Sequence, residues 1–438
     1  MKNRKRKKVI KRRRKNPICK KRDPEFGGTN KYQLKGCRSG KKRQLGVRFP
    51  LGINLKTQKM AKKKKNNALK VTSLSKVRKN FSSGLASEIS LPPDHQLWLP
   101  SRSLMLNYTL GGGIPYGRIA EIFGTESSGK TLIAQDFGYV AQKVGGIILW
   151  NDAEQSFTPY WAEQNGLDND RIELCNEVAV EHVSDWLLDM VVYYRSQLTN
   201  NQPILFIQDS TAALDGLENI NSRQSDAKAE MGNRAKAIYK MVRIRNKMLT
   251  ELGVVSIFIN QIRHKVGASQ FEDPDTTPGG NAMKFYAAQR VGVYAGKQIK
   301  EKVNGIEDRV GIETSIRLKK NKVAPPRPTF KTRIYFHGEY HEPVGIDRYI
   351  GLADVFLRLG VVEKKGITYY LDGDSICKGE INFNELIRED KNLRKHLIKL
   401  SPIHTLSKLK KQLKSLDVNL FPVGDSKYSR HDEDGSDN

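Results

Sequence analysis

A glycine-rich stretch of eight residues is the first part of this 438-residue chain whose spacing could do chemistry. The stretch "GTESSGKT" matches the pattern G-x-x-x-x-G-K-[ST]. Glycines in such a turn let successive backbone N–H groups surround phosphate oxygens, and the N-terminus of the following helix adds positive potential. Lys130 is then expected to reach the β- and γ-phosphates, and the Thr131 hydroxyl to join a Mg²⁺ shell. The predicted nucleotide-binding residues are Gly124, Glu126, Ser127, Ser128, Gly129, Lys130 and Thr131.

Acidic residues that follow two other apolar runs could serve the same site. "ILFIQDS" places Asp209 at the carboxyl end of a predicted strand, the edge where open α/β sheets bind ligands, and we expect it to help hold Mg²⁺. "GIILWNDAEQ" ends with Asp152 and Glu154, both of which could face the γ-phosphate, and Glu154 is the candidate base or water-positioning group. By spacing alone, Asp209 could instead cap the next helix and Glu154 could be an ordinary exposed carboxylate.

A long segment without apolar periodicity follows another predicted strand. Residues 259–287, "INQIRHKVGASQFEDPDTTPGGNAMKFYA", begin near the amide pair Asn260 and Gln261 and then mix basic, small, acidic and glycine residues. A helical apolar pattern returns only at "NAMKFYA". Long loops beside a core are often functional and otherwise are plain solvated connections, so this pattern leaves both interpretations open.

The alternation of short apolar runs with helical patterns predicts the fold that positions these residues. "GRIAEIFG", "GIILW", "PILFIQDS" and "VVSIFIN" are typical of buried strands, and the stretches between them have helical periodicity. This order predicts an α/β P-loop NTPase core with a mostly parallel, twisted sheet between two helical layers. "RVGVYAG", "ETSIRLKKN" and "TFKTRIYFHG" are expected to extend the sheet as antiparallel strands, with "PPRP" breaking the chain between the last two. Beyond about Val344, short helices and turns predict a small C-terminal α/β domain.

Positive charge is concentrated at the start of the chain. Residues 1–80 contain 31 Lys and Arg and two acids, whereas the remaining residues contain 45 basic and 45 acidic residues. The whole formal charge of +29 therefore lies in this leader, whose weak apolar pattern predicts a disordered arm. Three interpretations stay open: an arm that neutralises nucleic-acid phosphates, a targeting leader, and an artefact of start-site choice, since Met60 could itself begin the chain.

Composition limits the remaining classes of protein. A hydrophobic fraction of 38% supports a packed core, and the glycines show no repeat period, which argues against collagen-like and solenoid folds. No apolar run is long enough to cross a bilayer and no signal peptide opens the chain, so we expect a soluble protein without a membrane partner. The four scattered cysteines predict free thiols rather than a disulfide framework or a zinc site.

Taken together, seven stretches resemble the RecA family of bacterial and phage strand-exchange recombinases. These are "LGGGIPYGRIAEIFGTESSGKT", "DAEQSFTPYWAEQNGLD", "ILFIQDSTAAL", "IFINQIRHKVG", "TTPGGNAMKFYA", "KKNKVAPP" and "GIDRYIGLADVFLRLGVVEKKG". The resemblance spans roughly Ser103 to Leu420. It implies a DNA-dependent ATPase that uses ATP and Mg²⁺ and forms a helical homo-oligomeric filament on single-stranded DNA. It also implies exchange of that strand with a homologous duplex, during recombination and repair in the cytoplasm of a bacterium or a phage-infected cell.

The same resemblance implies roles for residues around the nucleotide. Glu154 matches the carboxylate that polarises the attacking water, and Gln261 matches the amide that senses the γ-phosphate. Trp161 falls where an aromatic ring stacks on adenine, although Thr158 stands where the family has an acid. Lys320 and Lys322, in "KKNK", match lysines that reach the ATP of the neighbouring subunit. In "KFYA", the residue that matches a subunit contact is Phe285.

Two DNA-binding loops are also implied. Residues 227–236 resemble the first loop, with Met231 placed as an apolar wedge between bases and Arg243 as a phosphate contact further along the helix. Residues 263–278 resemble the second loop, which directly follows the predicted γ-phosphate sensor and is expected to become ordered with nucleotide and single-stranded DNA. The residues implied in DNA binding are Met231, Gly232, Arg243, Arg263, His264, Lys265, Gly279, Gly280 and Asn281.

The predicted organisation has five parts. They are a disordered basic arm over 1–80, a short segment over 81–102 that is a candidate subunit-docking element, an ATPase core with two DNA-binding loops over 103–343, a small domain over 344–422, and an acidic disordered tail over 423–438. Compared with the family, the N-terminal segment is short and weakly patterned, and the acidic tail is brief.

Two other functions compete with strand exchange as interpretations of the sequence. A RecA-fold DNA motor of the helicase or branch-migration type would need an N-terminal helical domain or a Cys₄ zinc motif, and the leader shows neither pattern. A DNA-binding scaffold with a vestigial ATP site conflicts with the intact Lys130, Thr131, Glu154 and Asp209. Single-strand-binding or loader proteins are candidate partners, and targeting of the protein to an organelle by the basic leader stays open.

Overall fold

The computed structural model describes residues 75–76, 97–199, 201–221, 232–264, 275–303, 305–327, 329–336, 344–416 and 420–421. Nearly all of the predicted basic arm, most of the segment 81–102 and the predicted acidic tail lie outside these residues. Strands and helices are numbered in chain order within the described part.

The strands fall into one large sheet and three small ones. They are β1 (Trp98–Leu99), β2 (Ile114–Pro115), β3 (Ile119–Gly124), β4 (Ile147–Asp152), β5 (Ile172–Cys175), β6 (Ile204–Asp209), β7 (Val255–Gln261), β8 (Arg263–His264), β9 (Asp275–Thr276), β10 (Gln289–Val303), β11 (Ile306–Asn321), β12 (Phe330–Tyr335), β13 (Gly345–Ile346), β14 (Glu363–Lys365), β15 (Thr368–Leu371) and β16 (Asp374–Lys378).

The α-helices lie between and after these strands. They are α1 (Leu104–Leu110), α2 (Lys130–Lys143), α3 (Pro159–Gln164), α4 (Val180–Gln197), α5 (Leu217–Asn221), α6 (Asn233–Glu251), α7 (Ala282–Tyr286), α8 (Leu352–Arg358), α9 (Glu380–Glu389), α10 (Lys391–Leu400) and α11 (Leu406–Ser415). Gly253 follows α6 with a left-handed φ of +62°, so the predicted end of that helix is confirmed.

The central sheet has nine strands in the order β13-β12-β11-β10-β3-β7-β6-β4-β5. The pairs from β10 through β5 are all parallel, whereas β11, β12 and β13 join in antiparallel fashion. The predicted mostly parallel sheet with an antiparallel extension is therefore confirmed. One detail of the prediction was wrong: β10 is antiparallel only to β11 and runs parallel to β3, because it returns to the sheet after α7 as a crossover strand.

Helices cover both faces of the sheet, which explains why β3, β4 and β6 are buried at every residue. On one face, Ile133 and Phe137 of α2 share a hydrophobic cluster with Phe383, Leu397 and Leu409 of the C-terminal helices. The core and the C-terminal region thus pack through one continuous apolar cluster. The predicted domain boundary near residue 344 stays a prediction.

The opposite face is covered by α4 and α6, which place Val183, Leu187, Ile238 and Met241 in a second cluster. Successive strand residues alternate between the two clusters, as expected for a sheet buried on both sides. Within the described ranges, the helices are too short or too polar to cross a membrane.

Candidate functional site

The glycine-rich turn lies between the end of β3 and the start of α2, at the carboxyl edge of the parallel strands. A Cβ atom on Gly124 would lie 1.9 Å from the carbonyl oxygen of Val293 in β10, so the strand itself requires glycine there. Gly129 has a φ of +90°, and a Cβ on it would lie 2.3 Å from Cδ1 of Ile334. Packing therefore enforces the glycines that a phosphate-binding turn needs.

Polar groups within the turn already bind each other around its centre. The Lys130 ammonium group donates to the carbonyl oxygen of Thr125 at 2.6 Å, and the buried Ser128 hydroxyl donates to the same oxygen at 2.8 Å. Burial lowers the pKa of Lys130, and the carboxylates of Asp209, Glu154 and Glu126 oppose that shift. The Thr125 carbonyl oxygen thus binds the Lys130 ammonium group within the turn, where a phosphate oxygen could take its place. Glu126 and Ser127 form the exposed rim of the turn.

A hydroxyl and a carboxylate meet beside this turn in the arrangement that Mg²⁺ prefers. The Thr131 hydroxyl donates to Oδ2 of Asp209 at 2.9 Å, and Asp209 ends β6 opposite Asp152 of β4. Burial, together with the charges of Glu154 and Asp152, raises the pKa of Asp209 to about 6, although the Thr131 hydrogen bond and the Lys130 charge oppose this shift. Hard oxygen donors in a place short of positive charge fit Mg²⁺ held with the nucleotide phosphates.

The acid that ends β4, Asp152, and the acid that follows it, Glu154, have different hydrogen-bond partners. Glu154 extends its carboxylate to the middle of the site, where Oε1 accepts hydrogen bonds from the Ser210 hydroxyl and from Nε2 of Gln261, the latter at 3.1 Å. Asp152 instead accepts from the backbone N–H of Phe157 at 2.6 Å. The turn that follows β4 thus uses an oxygen atom of Asp152. That Asp152 and Glu154 face the γ-phosphate stays a prediction.

The end of β7 is tied directly to the start of the glycine-rich turn. The backbone N–H that follows Gln261 donates to the carbonyl oxygen of Gly124 at 3.2 Å, so the side chain of Gln261 is held beside the nucleotide site. Two residues further on, Arg263 and His264 pair with Thr276 and Asp275 in a short antiparallel ladder. The segment singled out in the sequence therefore begins as a two-stranded stem attached to the predicted γ-phosphate sensor.

Side chains from the neighbouring strands hold the returning arm of this stem. The Tyr294 hydroxyl donates to Oδ2 of Asp275 at 2.6 Å, and the Lys319 ammonium lies 3.8 Å from the same carboxylate oxygen. Lys265, Met231 and the side chain of His264 lie outside the described residues. Their DNA contacts, and that of Arg263, stay predictions.

Sequence interpretation missed a buried polar network that fixes the end of this segment. Glu121 in β3 is fully buried, accepts from Nδ2 of Asn260 at 3.1 Å and pairs with Nε of Arg290 at 2.5 Å. The same Asn260 nitrogen donates to the carbonyl oxygen of Pro278 at 3.0 Å. The signal was present as single polar residues within apolar strands, such as the acid in "IAEIFG".

Gly279 and Gly280 pack against α6. Both have left-handed φ angles, +88° and +70°, and Cβ atoms on them would lie 3.3 Å from Ile238 and 3.0 Å from Ala235. Close packing thus explains the two glycines without DNA, and the predicted DNA contacts of Gly279, Gly280 and the exposed Asn281 stay untested.

The part of the first predicted loop that is described begins α6. Gly232 has a φ of +111° with open space around its Cα, and Arg243 lies exposed further along the same helix. Both positions are compatible with DNA contact, which stays a prediction.

Residues predicted to contact the nucleotide base or another subunit lie at the surface. Trp161 in α3 is 37% exposed and packs edge-on against Tyr160, and Phe285 in α7 is 62% exposed. The Lys320 ammonium donates to the carbonyl oxygens of Lys284 and Phe285 at 2.5 and 3.3 Å. Burial, together with the charges of Lys322 and Arg290, lowers the pKa of Lys320 to about 8.

Comparison with known proteins gives one consistent result. The family described as the RecA N-terminal domain matches residues 67–340. Protein RecA of Lactobacillus delbrueckii subsp. bulgaricus is 35% identical over 340 residues, which cover 75% of this chain and 94% of that protein. Protein RecA of Frankia casuarinae is 34% identical over 330 residues, covering 74% and 89% of the two chains. Protein RecA of Bifidobacterium longum is 33% identical over 330 residues, covering 74% and 78%.

Proposed function

Because this chain belongs to the RecA family, we propose that it is a DNA-dependent ATPase of homologous recombination and DNA repair. It polymerises on single-stranded DNA as a helical filament, pairs that DNA with a homologous duplex and exchanges the strands. ATP with Mg²⁺ is its nucleotide, and its place is on DNA in the cytoplasm of a bacterium or a phage-infected cell. Loader or single-strand-binding proteins are its proposed partners.

One observation carries this proposal: a single amide joins the hydrolytic carboxylate to the stem of the second loop. Gln261 donates to Glu154 at 3.1 Å, and the stem begins two residues later, at Arg263. A change in what the Gln261 amide binds is therefore passed to the stem through one intervening residue. Such a contact can make DNA affinity depend on the nucleotide and hydrolysis depend on DNA.

The geometry supports a proposal in which the residues of the site have separate tasks in hydrolysis. The backbone of the glycine-rich turn and Lys130 would bind the phosphates, while Thr131 and Asp209 would hold Mg²⁺, which would supply charge neutralisation on the phosphates. Glu154 orients the attacking water and accepts its proton, and the Ser210 hydroxyl fixes that carboxylate. When ATP binds, the Gln261 amide gives up its hydrogen bond to Glu154 and donates to a γ-phosphate oxygen instead. When the phosphate leaves, the amide returns to Glu154.

Between subunits, we propose that Lys320 and Lys322 reach the ATP of the neighbouring copy and that Phe285 packs at the same contact. The exposed ring of Phe285 and the hydrogen bond from Lys320 to its carbonyl oxygen support this, because both groups lie on one surface. The lowered pKa of Lys320 indicates a group short of negative partners, which a polyphosphate would supply.

The decisive test compares ATP hydrolysis with and without single-stranded DNA, together with strand exchange between a circular single strand and a linear duplex. We expect DNA to stimulate turnover, Lys130→Ala to abolish both activities and a form starting at Met60 to keep both. Turnover that ignores DNA, or strand separation without homologous pairing, would contradict the proposal and favour the scaffold or the motor.

A further inference from the structure

A cationic groove lies between the C-terminal helices and the outer side of α2. It has a volume of about 690 Å³, and six of the basic side chains around it are Arg102, Arg348, Arg394, Lys399, Lys408 and Lys411. None of the described residues that line this groove is acidic. We call it the α10–α11 groove, because these two helices form one wall.

The floor of the groove is apolar. Leu104 is 7% exposed, and Ile398 and Leu406 are half-buried against the same cluster that fills this face of the sheet. A ligand that binds here can therefore bury an apolar group while charged groups occupy the rim.

Positive charge in the groove is only partly compensated. Asp136 is bound by the Arg102 side chain and also accepts from the Arg102 backbone N–H at 2.7 Å. The buried Nε atom of Arg348 lacks a hydrogen-bond partner, and burial and the charge of Arg102 lower the pKa of Arg348. Burial also lowers the pKa of Lys408. An anionic ligand would therefore be stabilised by Arg348, whose charged form the Arg102 charge now disfavours, and by the other cations around the groove.

The position of the groove and its occupied aromatic rings argue against single-stranded DNA as its ligand. Both predicted DNA loops adjoin α6 on the opposite face of the sheet, whereas the groove contacts α2 at Tyr139, nine residues after Lys130. Single-stranded DNA also needs free aromatic faces for stacking. The Tyr139 ring already carries the Arg102 guanidinium at 4.5 Å, and Tyr349 carries that of Arg394 at 4.8 Å.

We propose that the α10–α11 groove binds a short acidic peptide segment of a partner protein, with one aliphatic or aromatic residue among its carboxylates. The apolar residue would occupy the floor formed by Leu104, Ile398 and Leu406, and the carboxylates would pair with Arg348, Lys399 and the other rim cations. This site goes beyond the ATPase and strand exchange, because it gives the filament a docking surface on the face away from its DNA loops.

The test measures fluorescence anisotropy of a labelled probe peptide, Asp-Asp-Glu-Asp-Leu-Phe, on the full chain at physiological salt. One comparison peptide replaces the four acids with their amides, and a second replaces Leu-Phe with Gly-Gly. We expect each replacement to weaken binding about tenfold or more. Binding of the probe to the basic leader adds the same background to every protein variant. The test therefore uses only the differences in probe affinity between variants. Equal affinity for the probe and the Gly-Gly peptide would overturn the proposal.

Matched protein variants locate the binding. Lys399→Glu with Lys411→Glu reverses two exposed charges on the groove, whereas Lys391→Glu with Lys414→Glu reverses two exposed charges outside it on the same helices. We expect the first pair to weaken probe binding about tenfold and the second to change it less than twofold. Equal losses in both pairs would mean non-specific attraction and would overturn the proposal. Lys130→Ala should bind the probe like the unaltered chain, so failure of the ATPase proposal is separately visible.

Two further results would identify a different occupant. If a duplex or single-stranded oligonucleotide binds more weakly to the Lys399→Glu, Lys411→Glu protein while the probe does not, the groove binds nucleic acid and the proposal fails. If removal of residues 423–438 raises probe affinity tenfold or more, the acidic end of this same chain occupies the groove, and the proposal of an external partner fails.

Discussion

The glycine-rich turn and the segment that follows β7 begin at the same edge of the sheet, yet they are held in very different ways. Strand packing fixes the turn, since a Cβ on Gly124 would lie 1.9 Å from a backbone oxygen of β10. The second segment is held at its described ends by polar side-chain contacts: Gln261 to Glu154 and Tyr294 to Asp275 at the stem, and Asn260 to the carbonyl oxygen of Pro278 at its end. The comparison indicates a pre-formed nucleotide site beside a segment that a few polar contacts can reposition.

The largest expected effect concerns Glu154, whose carboxylate lies beside the glycine-rich turn and contacts Gln261 at the start of the second segment. Glu154→Gln keeps the shape of the side chain but removes the carboxylate that we propose orients water, so we expect turnover to fall by roughly 10²–10⁴-fold. ATP affinity should change little, because Lys130 and the turn are untouched. Steady-state hydrolysis and nucleotide-binding titrations check this, with Glu363→Gln on the exposed β14 as the control. Turnover within fivefold of the unaltered protein would remove Glu154 from the mechanism.

Gly124→Ala tests whether packing really fixes the turn. The new methyl group would collide with Val293, so we expect the free energy of unfolding to fall by about 1–3 kcal/mol, as is usual for overpacking. Gly216→Ala is the matched control, because a Cβ there would meet Ala237 at an ordinary 3.6 Å. Urea denaturation measures both variants. Equal stability of the two would show that the turn has more freedom than its contacts indicate.

An intermediate effect is expected from pH, through Lys320. Its pKa of about 8 lies below the ordinary value of 10.5, so the fold disfavours the charged form. The contribution of this group to stability is therefore present at high pH and is lost as pH falls through about 8. The proposed phosphate contact needs the cation, so DNA-stimulated kcat/KM for ATP should fall above about pH 8. Lys320→Arg should move that fall to higher pH, and an unchanged profile would argue against the contact.

The smallest expected effect comes from the stem of the second segment. Tyr294→Phe removes one hydrogen bond to Asp275, typically about 0.5–1.5 kcal/mol, and should weaken single-stranded DNA binding by roughly two- to tenfold. The exposed Tyr193 on α4 offers the control variant Tyr193→Phe. Equal DNA affinity of the two variants, measured by anisotropy, would mean that the stem does not set the position of the DNA-binding segment.

The sequence predicted the locally determined parts of the molecule, such as the glycine-rich turn, better than the parts held by contacts between distant residues. Local patterns were sufficient where composition and geometry coincide, as in the glycine-rich turn, the apolar strand before Asp209 and the helix that ends before Gly253. They failed where long-range pairing decides. The parallel pairing of β10 with β3 depends on a partner strand that local patterns do not reveal.

Buried polar contacts were the other part that sequence patterns did not reveal. Glu121, Asn260 and Arg290 come from three strands that are far apart in the chain, and only the fold brings them together. A lone polar residue in an apolar strand signals that some partner exists, because an unpaired buried charge is costly, but it does not say which residue that partner is.

The most direct test of the account is the ratio of ATP turnover with and without single-stranded DNA in Gln261→Ala. This change removes the amide that joins Glu154 to the stem and leaves the Ser210 contact with Glu154 in place. Gln298→Ala, an exposed amide on β10, is the control. The account predicts that the ratio falls close to one in Gln261→Ala and stays high in the control. A ratio that stays high in both variants would contradict it.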